Sequence, residues 1–161
     1  MRRIVIMITK IKAMILPVVS IILCTVTFIL PVSAQSEKEI NNQLDELFGN
    51  HEVYHSFFTD LKKAVSAGDK NAVAAMVHYP ITVSVGGKDV KIKSGKDFVS
   101  HYDHVFSDKI VAAIEKETYA ALFANDQGIM IGDGEVWISG ICLDHDCKKQ
   151  AVKIVTINSD I

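Results

Sequence analysis

The stretch GIMIGDGEVWISGIC, residues 128–142, decides the architecture, because it is strand-forming throughout and long enough for one strand or two. Its Gly132-Asp133-Gly134 reads either as a tight hairpin turn or as a bulge that bends one long strand. We take the bulge, since a glycine-marked bulge is how a sheet curls. Working outward, TYAALFA (118–124) and a turn at Asn125-Asp126-Gln127-Gly128 come before it, and a cysteine-closed turn and QAVKIVTIN (150–158) follow. The C-terminal part therefore reads as an antiparallel meander.

Upstream, PITVSVGGKDVKIK (80–93) alternates apolar residues on either side of Gly86-Gly87, which supply the positive φ angles of a two-residue hairpin turn. On each side of that hairpin the period changes to a helical one. Tyr54, Phe57, Phe58, Leu61, Ala64 and Val65 recur at three-and-four spacing, which predicts a helix capped by Asn50 and running to Ala67. Gly68 ends it, Asp69 caps a short second helix in KNAVAAMV (70–77), and that helix stops before Pro80. Ser94 and Asp97 have capping-box spacing and start a third helix in GKDFVSHYDHVF (95–106), burying Phe98, Tyr102, Val105 and Phe106, and DKIVAAIEKE (108–117) continues it. Helices segregated from an antiparallel sheet give an α+β class.

The first 34 residues are set aside as an export signal. Arg2, Arg3, Lys10 and Lys12 precede an apolar run that ends in Pro31-Val32-Ser33-Ala34, so cleavage is expected after Ala34. The rival reading is a retained anchor, because the stretch from Ala13 to Val32 has the length to span a bilayer. Ile22-Leu23 before Cys24 lacks the small residue a lipoprotein signal needs, which argues against lipidation. Residues 35–49 read as a polar leader, a weak helix or a loosely docked tail with Ile40, Leu44, Leu47 and Phe48 on one stripe. Residues 50–161 read as the single domain, and a periplasmic or secreted location follows from the signal.

Removing those four cations from 17 Lys and Arg leaves 13 against 19 Asp and Glu, a net charge of −6, which argues against nucleic acid as a partner. Export delivers Cys142 and Cys147 of ICLDHDCKK (141–149) to an oxidising compartment, so a disulfide is the expected state, worth about 2 kcal/mol for so short a loop. The alternative is a metal loop of Cys142, Asp144, His145 and Cys147.

HEVYH (51–55) matches the spacing by which one helix offers two imidazoles to zinc with a Glu as base. Around the helix, however, His51 sits roughly 75° and His55 roughly 115° from the apolar stripe's centre, with Lys62 between their directions. Continuing the motif would require glycine and histidine where the chain has Phe58 and Leu61, and neither Glu115 nor Glu117 is favoured as a distant ligand. No metal and no cofactor are assigned; His51 and His55 stay weak candidates.

For acid/base work the candidates are His101 and Asp103, which flank the buried face of the third helix, and Glu135, a mid-strand carboxylate placed by alternation beside Trp137. His104 points to solvent on the same wheel. His78, Tyr102, Met130 and Trp137 are expected to border a pocket.

With SAGDKNAVAAMVHYPITVSVGGK (66–88) and MIGDGEVWISGIC (130–142) as its local marks, the order of elements resembles the nuclear transport factor two-like superfamily over roughly Asn50 to Asn158. This is the cystatin-like cone fold shared by ketosteroid isomerase, scytalone dehydratase and polyketide cyclase-like proteins. The resemblance implies helices packed on a strongly curved antiparallel sheet, a pocket in the mouth of the cone, and a possible homodimer. The family's catalytic residues find no matching positions here. The expectation is therefore a non-catalytic domain that binds a small apolar ligand or an envelope protein. The alternative is a small isomerase or lyase using His101, Asp103 and Glu135, and a zinc peptidase through HEVYH ranks third.

Overall fold

The computed structural model describes residues 35–160; the expected export signal and Cys24 lie outside them. In chain order come α1 (Glu37–Phe48), α2 (His51–Ser66), α3 (Lys70–Met76), the hairpin β1 (Ile81–Val85) and β2 (Lys88–Ile92), α4 (Gly95–Val105) and α5 (Asp108–Lys116). A 3-10 turn (Tyr119–Ala121) then leads into β3 (Phe123–Asn125), β4 (Gly128–Ile131), β5 (Val136–Cys142) and β6 (Gln150–Ile157). Among the described residues the class is α+β, with five α-helices, a two-stranded antiparallel sheet β1-β2 and a four-stranded antiparallel sheet β3-β4-β5-β6.

The helix starts follow from local chemistry. Ser36 and Glu39 form a reciprocal capping box on α1, the Asn50 side chain accepts from the Glu52 amide, and Asp69 accepts from the Asn71 and Ala72 amides. Ser94 accepts from the Asp97 amide, while the Asp97 carboxylate reaches back to the Lys93 amide, one residue before the position the capping box predicts. Gly86 and Gly87, at φ 57° and 72°, make the predicted tight turn, with Val85 paired to Lys88.

Three sequence expectations are corrected. Gly132-Asp133-Gly134 is a hairpin turn, since Ile131 pairs with Val136 and Ile129 with Ile138. The bulge lies further on, where Trp137 pairs with Thr156 but Ile138 with Ile154. TYAALFA is mostly the 3-10 turn, with strand only from Phe123. Third, of the two readings of residues 35–49 the helix holds and the loosely docked tail does not: Ile40 and Leu44 are fully buried, and α1 belongs to the same compact unit as the elements that follow it.

The core lies between the helices and one face of the larger sheet. Ile129, Ile131, Val136, Ile138, Ile154 and Ile157 point into it and meet Leu61, Phe98, Ile110 and Ile114, all essentially inaccessible to solvent. Alternation sends Phe123, Met130, Trp137 and Thr156, paired one to the next, to the opposite face.

The smaller sheet is tied towards the larger one by an isolated parallel bridge from Ser84 to Asn158 and by Asp160, and ahead of β1 the end of α3 is tied by a second such bridge from Val77 to Ile154. The Asp160 carboxylate accepts from Ser84 Oγ (2.8 Å) and from the amides of Gly86 (2.9 Å) and Gly87 (3.0 Å). These bonds, that from the Gly87 amide foremost, hold its pKa below the ordinary carboxylate range. A depressed folded-state pKa means that the tether is fully present above the ordinary value near 3.9 and is lost as pH falls through the lowered one. The Gly86 and Gly87 amide shifts are expected to titrate together with a midpoint below about 3.9, and Asp160→Asn to abolish that titration. A midpoint at or above the ordinary value would contradict the tether.

Candidate functional site

The sequence-nominated residues do not assemble. His51 turns to Asp45, its Nδ1 2.8 Å from the carboxylate, and this hydrogen bond lowers the Asp45 pKa. His55 packs on the Tyr119 ring with centroids 4.1 Å apart. Lys62, further along the same side of the helix, donates to the carbonyls of Glu115 and Glu117. Among the described residues no group of three or more His, Cys, Asp or Glu is placed to hold a metal ion.

His101 is held within its own turn, with Nδ1 2.9 Å from the Asp97 carbonyl and 3.3 Å from the Asp97 carboxylate. Asp103 is exposed and ion-paired to Lys70 at 2.7 Å; the same ammonium sits 5.0 Å above the Tyr102 ring. Tyr102 is buried against Phe98 and Phe106, and burial raises its pKa. His78 is exposed, its amide donating to the Ile154 carbonyl. Met130 and Trp137 sit on the outer face of the sheet, with Phe123 edge-on to Trp137 at 6.4 Å. The pocket expected from His78, Tyr102, Met130 and Trp137 is therefore distributed over separate surfaces.

Glu135 differs from its prediction in an informative way. It lies in the β4–β5 turn, 4 % exposed, where one carboxylate oxygen accepts from the Asp133 amide at 2.6 Å and the other lies 3.9 Å from Lys109 Nζ. Together with Lys109, Lys116 and Glu117 it lines a cleft of about 510 Å³. Gly132 makes the turn possible, since at φ 67° a Cβ there would fall 2.3 Å from the Glu135 carboxylate.

The cavity that combines size with an apolar lining lies elsewhere. Two adjoining hollows, of about 630 Å³ and 610 Å³, share Phe57, Asp60 and Val152, and together form a groove between α2, α3 and the first half of β6. On the helical side Val53, Phe57, Asp60, Ala64 and Ala67 follow one another at three-and-four spacing and make a ridge beside the buried stripe. The α3 side supplies Ala72, Ala75 and Met76, and the strand side Ala151 and Val152. Val53 is 45 % exposed and Phe57 only half-buried, so apolar surface remains open to solvent along the groove. The periodicity alone puts Phe57 in the core stripe. The signal that separates it is Val53, an apolar residue four before Phe57 that the core stripe does not use.

The β5–β6 hairpin forms the strand wall and is stapled at its tip by the Cys142–Cys147 disulfide, with Cα atoms 4.7 Å apart. Tyr54 reaches from α2 to Gly140 on this hairpin, and burial raises its pKa. Among the described residues no helix is long and apolar enough to cross a membrane. No protein-family model, curated protein or solved structure matches the chain.

Proposed function

We propose that this is an exported binding domain of the nuclear transport factor two-like cone fold that holds an apolar ligand or protein segment in the α2–α3–β6 groove without doing chemistry. The observation that carries the reading is the groove itself, with half-buried Phe57 common to both of its hollows. Support for the fold comes from helices beside a four-stranded antiparallel meander, and for export from a disulfide suited to an oxidising compartment. His101, Asp103 and Glu135 each have a separate local partner, whereas proton-transfer catalysis needs titratable groups that converge on one reacting atom.

The test is binding of the neutral dye N-phenyl-1-naphthylamine. Its fluorescence is expected to rise on binding, and Phe57→Asp to weaken the binding about tenfold or more, measured well below the variant's own melting temperature so that loss of the site is read apart from loss of the fold. Equal binding by Phe57→Asp would refute the groove as the site.

A second reading rests on Glu135, the buried carboxylate of the other cleft. It keeps the isomerase or lyase alternative open at that cleft, with Glu135 as the base and without His101 or Asp103. Dye binding that responds to Glu135→Gln and ignores Phe57→Asp would favour it.

A further inference from the structure

The strand wall of the groove is an open sheet edge. In the β5–β6 ladder Gly140 pairs with Val152 and Ile138 with Ile154. The Ile154 carbonyl points away from β5, because it accepts from the His78 amide at 2.9 Å. Main-chain groups two residues apart on a strand point the same way, so the N–H and C=O of Val152 also face away from β5, as do those of Gln150. At the hairpin tip the Leu143 amide donates inward to the Lys149 carbonyl at 2.8 Å, which fixes the same alternation from the other end.

The neighbour that covers β6 further along stops short of this edge. Val77 bridges Ile154, but the chain before Val77 turns into α3, and Lys153 Nζ caps the Ala75 carbonyl there at 2.7 Å. Over Gln150–Val152 no described residue is hydrogen-bonded to the outward main-chain groups of β6. An unpaired edge beside an apolar groove is a template for a further strand.

We propose that the occupant of the groove is an extended peptide segment that adds as a strand to the outer edge of β6 at Gln150–Val152. This rests on the groove reading above and narrows it to one ligand class. Because side chains alternate along a strand, every second residue of the segment falls among Phe57, Met76 and Val152, and the residues between them face solvent. The segment therefore alternates apolar and polar residues. Its charge is also specified: the hollow at the start of α2 is bordered, among the described residues, by Glu52 and Asp60 and no cation, so Lys or Arg belongs at that end.

The probe is a phage-displayed library of random octapeptides, selected on the disulfide-bonded protein recovered from the periplasm of an expressing bacterium. The best binder is synthesised and measured by fluorescence anisotropy against wild type, Val152→Pro and Phe57→Asp, with N-phenyl-1-naphthylamine measured in parallel. Proline at 152 removes an N–H that the β5–β6 ladder does not use and keeps an apolar ring in the wall. The expected result is an alternating peptide with a basic end that loses about tenfold or more in affinity on Val152→Pro, a larger fold-loss than the dye shows on the same variant. Alternate N-methylation of the peptide is expected to cause the same loss on wild type, a measurement that stands even if Val152→Pro fails to fold.

A peptide that binds Val152→Pro as well as wild type, or tolerates N-methylation at every position, would overturn the strand and leave the groove reading standing. Loss of neither peptide nor dye binding on Phe57→Asp would overturn both. A library that yields no binder overturns the strand, and a dimer that dissociates in Val152→Pro would place a second copy of this chain on the edge instead.

Discussion

Truncation of Leu44 to alanine is expected to destabilise the protein by about 2–5 kcal/mol, the loss seen when a buried leucine is cut back and its site collapses incompletely. Leu44 and Ile40 are fully buried on the inner face of α1. Around them α1 is fastened by polar contacts: Tyr119 donates to Asn41 (2.8 Å) and Gln43 to the Ala124 carbonyl (2.9 Å). Phe48, at the end of the helix, stacks on Tyr54 with centroids 4.7 Å apart. Leu47, on the same helix but 38 % exposed, provides the control, and Leu47→Ala is expected to shift stability by only about 0.5 kcal/mol. Urea unfolding of the two variants checks this. Equal, small effects would mean that α1 is a dispensable leader.

The second large effect is expected at Gly128, where alanine should cost about 2–5 kcal/mol. Its φ is +142°, and a Cβ would stand 2.3 Å from the Ile138 carbonyl oxygen and 3.2 Å from the Ser139 side chain. The clash is with the main chain of the neighbouring strand, so relief requires separating β4 from β5 as well as accepting a strained φ. Gly49 is the comparison: it caps α1 at φ +80°, and a methyl group added there would meet nothing within 4 Å, so Gly49→Ala should cost only about 1 kcal/mol. Thermal melts of the two variants separate close approach from backbone preference. If both lose the same small amount, the tight β4–β5 contact at Gly128 is not present in solution.

Much of the fold was legible because its signals are local. Asn50, Asp69 and Ser94 announced three helix starts, and Gly86-Gly87 announced a hairpin; each depends on a few neighbouring residues. Gly132-Asp133-Gly134 was misread because a bulge and a hairpin turn use the same residues, and the choice depends on where the following strand pairs. That is long-range information. The choice between helix and loose tail for residues 35–49 was undecided for a related reason: two buried residues in a polar helix make a weak stripe, and the contacts that dock it, Asn41 to Tyr119 and Gln43 to Ala124, join distant parts of the chain.

The candidate site was less legible than the fold. Titratable residues stand out in a sequence, but His51, His101 and Asp103 proved to have local partners in Asp45, Asp97 and Lys70. Glu135, read as a mid-strand carboxylate beside Trp137, is instead buried in the β4–β5 turn. The groove is built from alanines, Phe57 and a strand edge, and a free edge has no sequence signature, because it depends on which strand is absent beside it.

The most direct test of the central claim is native mass spectrometry of the protein recovered from the periplasm of an expressing bacterium, alongside Phe57→Asp prepared in the same way. The account predicts a disulfide-bonded, zinc-free protein carrying an added mass of apolar ligand or peptide that Phe57→Asp does not retain. An added mass retained equally by both proteins, or stoichiometric zinc that His51→Ala loses, would contradict it.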